Sequence, residues 1–470
     1  MKAPTRFFPA LLAVFLLCPA PGLAQESAEN PPRSHTVGAY LSGFWDEFNQ
    51  VWSKADYERF RLEYENDLFY NTDRNYTDGV RLSLKHGSDK ATVFDPEGRG
   101  GIVPPLNTDA EKGDCPVEAA SSAEDYTPGF KANPAKPDPG GRAPRPYCYK
   151  AAYSVVLGQN MYTPSDIRLQ PSQIPAKDHP YAAWLYMGVH REVYSSDERY
   201  WQYGFDVGCI GPCALGEQAQ KFIHKYVTDS PAPQGWGSQI HNELGIEFRY
   251  EHAWRALRYV PGRAGDKQPG MLGENLFGVP LAFDLRPAVS VGLGNIQTYA
   301  GLGATARLGW FRSTYDSMRL DTHPIESLAS RDQDDATLPT LFAQTDTPAA
   351  GAAATDGVQA PKYRPQSEGQ TGRAASAAAV AAKPELFGFA RVNADLVAYN
   401  AMLQGGLIND SSPKTVGARP LIAEYELGLA AAYRQLSVSF SSIIRHEWDT
   451  SGARYGQRFG RIAVEFSTRF

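Results

Sequence analysis

Chemistry in this chain is concentrated first in the stretch Gly208-Cys-Ile-Gly-Pro-Cys-Ala-Leu-Gly-Glu-Gln-Ala-Gln-Lys-Phe-Ile-His224. A β-like run from Tyr200 to Ile210 stops at Gly211-Pro212, and a short helix is predicted to follow, since Pro is tolerated at a first helical turn. At about 100° per residue, Leu215, Ala219, Phe222 and Tyr226 share one face. His224 falls on the opposite face with Glu217 and Gln220. A neutral His beside carboxylate and amide groups is equipped as a general base, because such partners fix its tautomer. Taken alone, the same helix also reads as one carrying a solvated His with no role.

Oxygen donors recur around that helix. Glu65-Asn66-Asp67 is followed by Asn75-Tyr76-Thr77-Asp78-Gly79, and one hairpin brings the two together. Then come Gln159-Asn160-Met161-Tyr162-Thr163-Pro164, Lys177-Asp178-His179-Pro180-Tyr181-Ala182, and Gly235-Trp236-Gly237-Ser238-Gln239 with Asn242-Glu243. Asn, Asp and Thr oxygens are hard ligands suited to Ca²⁺, which can polarise an ester carbonyl and hold a developing oxyanion. One motif at a time, Asn66-Asp67 and Thr77-Asp78 also read as ordinary turn chemistry. His179-Pro180 reads as a turn former, and Trp236 and Tyr181 as interfacial aromatics. Zinc and EF-hand spacings and Gly-rich phosphate loops are absent.

The elements that must position these residues are strands. At the C-terminal end, Ile462, Val464, Phe466 and Phe470 alternate with Arg461, Glu465, Ser467 and Arg469. One apolar and one charged face suits a barrel with lipid outside and a polar lumen, and a terminal Phe resembles the assembly signal of bacterial outer-membrane proteins. Residues 1–24 read as a secretory signal peptide: a basic start, an apolar run from Phe7 to Leu17, and Gly22-Leu23-Ala24 before Gln25. No run later in the chain is long and apolar enough for a membrane-spanning helix. Aromatics at 12% with a mean hydropathy of −0.40 fit a barrel in which half of each strand meets lipid. The mild net charge of −6 argues against a nucleic-acid partner. Past Cys18, an even set of cysteines in an oxidising compartment suggests disulfides, with Cys115–Cys148 and Cys209–Cys213 favoured by proximity.

Twelve strand-like runs follow one another: Tyr57–Leu68, Tyr76–Gly87, Ala151–Met161, Tyr181–Val193, Arg199–Ile210, Gln239–His252, Leu281–Leu293, Ile296–Trp310, Leu386–Asn400, Leu421–Tyr433, Gln435–His446 and Gly456–Phe470. The expected fold is all-β, a twelve-stranded antiparallel transmembrane barrel over 57–470 with a short helix in an outer loop. An extension at 25–56 carries Tyr40, Leu41, Phe44, Trp45, Phe48 and Trp52 at helical spacing, an amphipathic helix for the membrane interface or the barrel mouth. Low-complexity insertions at 88–150 and 311–385 cannot bury a core. Strand parity assigns 69–75, 162–180, 211–238, 294–295, 401–420 and 447–455 to the outer side. Every oxygen-rich motif and His224 then fall at that rim.

Glu-Asn-Asp, Tyr-Thr-Asp-Gly, Tyr-Thr-Pro, Asp-His-Pro-Tyr-Ala, Ile-Gly-Pro…Gln…His and Gly-Trp…Gln…Asn-Glu, in this order, resemble the LpxR-type lipid A 3′-O-deacylase family. The likeness spans roughly Phe60 to the end with the insertions omitted. It implies a Ca²⁺-dependent outer-membrane esterase that removes the 3′-linked acyloxyacyl chain of lipid A, by a mechanism like that of phospholipase A2. Carried over by motif, His224 is the base, Asn66 and Asp67 form the metal and oxyanion site, and Thr77 lines it. The implied partners are lipid A or lipopolysaccharide and outer-membrane lipids, with a monomeric protein. Family members carry a basic pair in the 162–180 loop for the lipid A phosphates; here Arg168 is followed by Leu169.

Two other classes compete. A barrel that only passes solutes or binds partners predicts an open lumen, whereas Arg59, Arg61, Glu63, Glu65, Arg81, Ser83 and Lys85, all inward on the first two strands, mix both signs and can pair into a plug. An outer-membrane phospholipase with a Ser nucleophile is the weakest, because no Ser stands beside a His in a hydrolase-like setting.

Overall fold

The computed structural model of the chain describes residues 37–70, 75–87, 92–95, 147–195, 199–228, 230–259, 281–311, 384–409, 411–445 and 457–469. The expected signal peptide, nearly all of both insertions and Cys115 lie outside the described residues. Twelve antiparallel strands form the wall: β1 Tyr57–Asn66, β2 Asn75–Gly87, β3 Tyr147–Thr163, β4 Ala182–Ser195, β5 Tyr200–Ile210, β6 Glu243–Ala253, β7 Ala282–Gly294, β8 Gln297–Trp310, β9 Glu385–Asn400, β10 Leu421–Tyr433, β11 Leu436–Arg445 and β12 Gln457–Arg469. Each pairs with its chain neighbours, and β1 pairs with β12 (Tyr57 opposite Arg469), so the sheet closes on itself. Closure leaves no unpaired edge in the membrane, where an unmade backbone hydrogen bond is costly. Short strands at Thr92–Asp95 and Leu257–Tyr259 add to β3 and β7.

Side-chain alternation follows the sequence pattern. On β1, Phe60 and Leu62 are exposed while Arg59, Arg61, Glu63 and Glu65 are buried. Met187, Leu302, Leu396, Leu427 and Leu429 continue the outward apolar belt on other strands. Inward residues neutralise one another in pairs: Arg61–Glu63 at 2.8 Å, Lys85–Glu192 at 2.6 Å, Arg249–Asp206 at 2.9 Å, Arg391–Glu426 at 3.1 Å and Arg461–Glu426 at 3.0 Å. A buried charge is tolerated only when paired and hydrogen-bonded. The lumen is therefore lined with interlocked side chains rather than left as an aqueous channel.

Helix α1 spans Val37–Ser53. Its residues Val37–Trp45 belong to one unit, and the second begins at Asp46 and contains the barrel. Within the second, Asp46–Ser53 lies on the outer wall near the periplasmic ends of the strands. Glu47 accepts a forked pair of hydrogen bonds from Arg191 (2.7 and 2.9 Å) and a third from Tyr153 Oη (2.8 Å). Arg191 also donates to Tyr203 Oη at 2.7 Å, and Trp52 stacks on His86 at 4.0 Å. Arg191, Tyr153 and His86 alternate with inward residues, so they point away from the lumen. Asp46, Asn49, Gln50 and Ser53 remain exposed, so the free face of this segment is polar and suits water rather than lipid.

Glu47 and Arg191 are both fully withdrawn from solvent, at 2% and 0% side-chain exposure. Removing one partner of such a pair strands the other charge, at about 3–5 kcal/mol. Arg191→Ala is therefore expected to loosen α1 and lower the urea midpoint of the reconstituted barrel, whereas replacing Glu47 and Arg191 together by Leu and Met recovers most of the loss. Unchanged protease resistance of α1 in the single variant would contradict this assignment.

Candidate functional site

The outward face of the wall changes character at the outer rim. On β1 the apolar alternation Phe60, Leu62 ends in Tyr64 and Asn66, and Asn66 stands directly opposite Asp78 of β2. Tyr64 hydrogen-bonds the Asn66 side chain, and Asp67 and Asp78 both lie close enough to act on its hydroxyl electrostatically. Asp67 opens a 3-10 turn, Asp67–Tyr70, and is buried, as are Asn66, Thr77 and Asp78. The β2–β3 register slips between Tyr76 and Asp78, which makes Thr77 the extra residue of a β-bulge. A bulge re-aims side chains and is common beside active sites. Here Tyr76 turns inward onto Tyr162 and Phe459, while Thr77 Oγ1 lies 2.6 Å from Thr163 Oγ1.

Helix α2, Gly216–Ile223, lies beside this row against the outer face of β3 and β4. Its approach is sharp. Gly211 has φ +87°, and a Cβ there would sit 2.6 Å from the Ile240 carbonyl oxygen. A 3-10 turn, Pro212–Ala214, then leads through Leu215, left-handed at φ 59°, into the helix. Three tethers hold the turn: a Cys209–Cys213 disulfide with Cα atoms 6.0 Å apart, Gln159 Nε2 donating to Ala214 O at 2.6 Å, and Cys213 N donating to Asn242 Oδ1 at 2.8 Å. Gly216 meets the wall, where a Cβ would fall 2.5 Å from that of Ala183 and 2.7 Å from the Trp236 ring.

Polar residues of α2 face the wall. Gln220 is buried and accepts from Trp236 Nε1 at 2.8 Å; His224 is 6% exposed. Ala219 and Ile223 pack on a cluster of Met161, Ile174, Tyr181, Ala183, Ala214 and Trp236. Met161 is the β3 partner of Asp78, so the cluster under Ile223 adjoins the Asn66–Asp78 pair. Trp236 and Tyr181, expected at the membrane interface, are instead fully buried against each other at 4.8 Å. Glu217 does not join His224; it pairs with Lys221 at 2.6 Å.

His224 opens a single π-helical turn, His224–Thr228, a form frequent at functional sites. Its Nδ1 lies 2.7 Å from Pro231 O. A carbonyl only accepts, so Nδ1 carries a proton, and in the neutral ring the lone pair is left on Nε2, the tautomer a general base requires.

Arg168 stands elsewhere, with 70% of its side chain exposed. Its guanidinium grips Asp166 in a fork, both bonds 2.8 Å, and holds that carboxyl down at about 2. The outer loops are latched to one another. Glu243 accepts from the backbone N–H groups of Leu407, Ile408 and Asn409 (3.2, 2.9 and 2.8 Å), and Lys414 donates to Ile174 O at 2.8 Å. His179 is a buried prop: it stacks on Tyr162 at 5.3 Å and donates from Nδ1 to Pro180 O at 2.6 Å.

Burial pushes His179 from its usual value near 6.5 down to about 4. Its folded value lies below its unfolded one, so the unfolded loop takes up the proton first as pH falls. The loop keeps its full stability above about 6.5 and loses it between about 6.5 and 4, with opening rising up to about tenfold per pH unit. Hydrogen exchange of residues 164–178 is expected to accelerate over that window; a flat profile would refute the buried neutral state.

Among the described residues no group of three or more His, Cys, Asp or Glu is placed to hold a metal ion. A cation at Asn66, Asp67, Thr77 and Asp78 would rest on amide, hydroxyl and carboxylate oxygens, which suits Ca²⁺ and not zinc. The donor chemistry of this row fits such an ion.

A closed twelve-stranded barrel with paired charges inside, an apolar belt outside and a row of buried oxygen donors at the outer rim is a bacterial outer-membrane protein. A family model described as outer membrane protein LpxR matches residues 10–468. The chain belongs to the LpxR family. Its fold is similar to that of LpxR from Salmonella typhimurium, with a TM-score of 0.51 and 16% identity over 87% of this chain and 99% of that one. The translocator domain of the autotransporter NalP from Neisseria meningitidis gives a TM-score of 0.31 at 9% identity, over 92% of this chain and 97% of that one. No curated protein matches the sequence.

Proposed function

We propose that this protein is an outer-membrane esterase that removes the 3′-linked acyloxyacyl chain of lipid A by water attack. The observation that carries the reading is His224 itself: a buried His at the C-terminal end of α2, its Nδ1 bonded to Pro231 O, next to Ile223 on the cluster that adjoins the Asn66–Asp78 pair. Membership of the LpxR family supports it.

In this reading Nε2 of His224 takes a proton from a water as that water attacks the ester carbonyl, and returns it to the sugar 3′ oxygen as the ester C–O bond breaks and the acyloxyacyl acid leaves, with no covalent acyl intermediate. The Nδ1–H to Pro231 O bond steadies the imidazolium that forms. Asn66 and Asp67 would hold Ca²⁺, with Thr77 and Asp78 lining the place. Bound Ca²⁺ supplies positive charge for the carbonyl oxygen as it becomes an oxyanion. The Thr77–Thr163 bond keeps the bulge in shape. The bond from Trp236 to Gln220 helps hold α2 against the wall.

A solute-passing barrel is less well supported, because the lumen is filled by paired charges such as Arg61–Glu63 and Lys85–Glu192. The test is mass spectrometry of lipid A from cells that do and do not express the chain. Loss of a mass equal to the 3′ acyloxyacyl group on expression is expected; unaltered lipid A would leave a barrel with the scaffold and another task.

A further inference from the structure

With Gln220 and His224 turned to the wall, α2 shows an apolar face to the outside. Leu215 is 50% exposed, Phe222 60% and Tyr226 64%. The rings of Phe222 and Tyr226 lie against each other at 5.0 Å and form one surface. Lys221 and Lys225 flank it along one edge, both exposed, with the Lys225 ammonium 4.9 Å from the centre of the Tyr226 ring. An exposed aromatic and aliphatic patch of this kind marks an interaction surface. What it meets follows from where the helix lies. The wall beneath α2 is the outward face of β3 and β4, and the same strands carry exposed Leu157 and Met187 a few residues nearer the periplasm. Phe205 and Val207 on β5 lead directly into the loop. The apolar face of α2 is thus continuous with the lipid-facing belt.

We propose that this face of α2 is embedded in the outer leaflet, with Leu215, Phe222 and Tyr226 among acyl chains and Lys221 and Lys225 at the level of anionic headgroups. A helix with aromatics and Leu on one side and Lys at the flank is built for that boundary. The inference rests on the barrel and its belt. Its consequence for catalysis rests on the deacylase reading: with the helix that ends at His224 embedded, an ester in the outer leaflet would approach His224 sideways, without leaving the membrane.

The experiment places a nitroxide label at residue 222 through Phe222→Cys, with Cys115 and Cys148 changed to Ser and the Cys209–Cys213 disulfide kept. The protein is reconstituted in vesicles of phosphatidylethanolamine and phosphatidylglycerol. Labels introduced through Met187→Cys in the belt and Ser172→Cys in the exposed outer loop serve as lipid and water references. The proposal predicts that the label at 222 relaxes more strongly with oxygen than with a water-soluble nickel chelate, as at 187. Relaxation like that at 172 overturns it. If the same vesicles doped with lipid A show no hydrolysis by the wild type, the deacylase reading fails while the labelling result still decides the surface.

Discussion

His224→Ala is expected to lower the turnover of lipid A by about 10²–10⁴-fold, the usual contribution of a positioned general base. KM should change little, because the imidazole acts on the water and not on the acyl chains, so the loss falls on kcat. The barrel should remain intact. His224 sits past the end of α2, and the helix keeps its disulfide, the Gln159–Ala214 bond and the Trp236–Gln220 bond. Added imidazole should restore part of the rate in the alanine variant, which a merely structural role for His224 would not allow. Fatty-acid release by purified wild type and variant measures both effects, and equal rates would place the base elsewhere.

The second large effect is expected at the oxygen row. Asp67→Ala and Asn66→Ala should each lower kcat by about 10²–10³-fold, the scale on which loss of oxyanion stabilisation is felt. Asp67→Ala removes a charge and should also weaken Ca²⁺ binding to the detergent-purified protein, read by calorimetry without any substrate. Asp67→Asn keeps the shape but not the charge and should fall between. A wild-type calorimetric profile in Asp67→Ala would remove Asp67 from the ligand set even if activity were lost.

Most of the fold was legible because a barrel strand must alternate along its whole length. The run Leu421–Tyr433 is the observed β10 residue for residue, and Leu386–Asn400 differs from β9 by one. Pairing of Arg61, Glu63 and Lys85 in the lumen could be read from the same alternation. What escaped depends on three dimensions. The bulge at Thr77 breaks the period by one residue, so simple parity places Tyr76 on the wrong side. Helical spacing groups Leu215, Ala219, Phe222 and Tyr226, yet Ala219 packs on the wall while the other three are exposed, and an amphipathic pattern does not say which medium lies outside. In water the apolar face would pack inward; at a lipid boundary it turns out. Trp236 and Tyr181 were expected at the interface for the same reason, since burial under a loop helix leaves no local signature. The Glu47–Arg191 pair joins residues too far apart in sequence for spacing to suggest it.

The site itself was legible as motifs rather than as geometry. Asn66, Asp67, Thr77 and His224 could be named from residue type and order; the structure sets the first three in one row and brings Ile223, beside His224, onto the cluster that adjoins it. Arg168 could be named as a phosphate contact only through the resemblance, and its guanidinium is occupied by Asp166. Glu243 stood in a motif beside Asn242, and its part is to hold the 407–409 loop by three backbone bonds.

The most direct measurement is mass spectrometry of lipid A incubated with purified, reconstituted wild type and His224→Ala, each with Ca²⁺ and with a chelator. Loss of the 3′ acyloxyacyl mass in wild type with Ca²⁺ and in no other sample is the predicted result. The same loss in the His224→Ala protein, or in wild type with chelator, would contradict the assigned base or the assigned metal respectively.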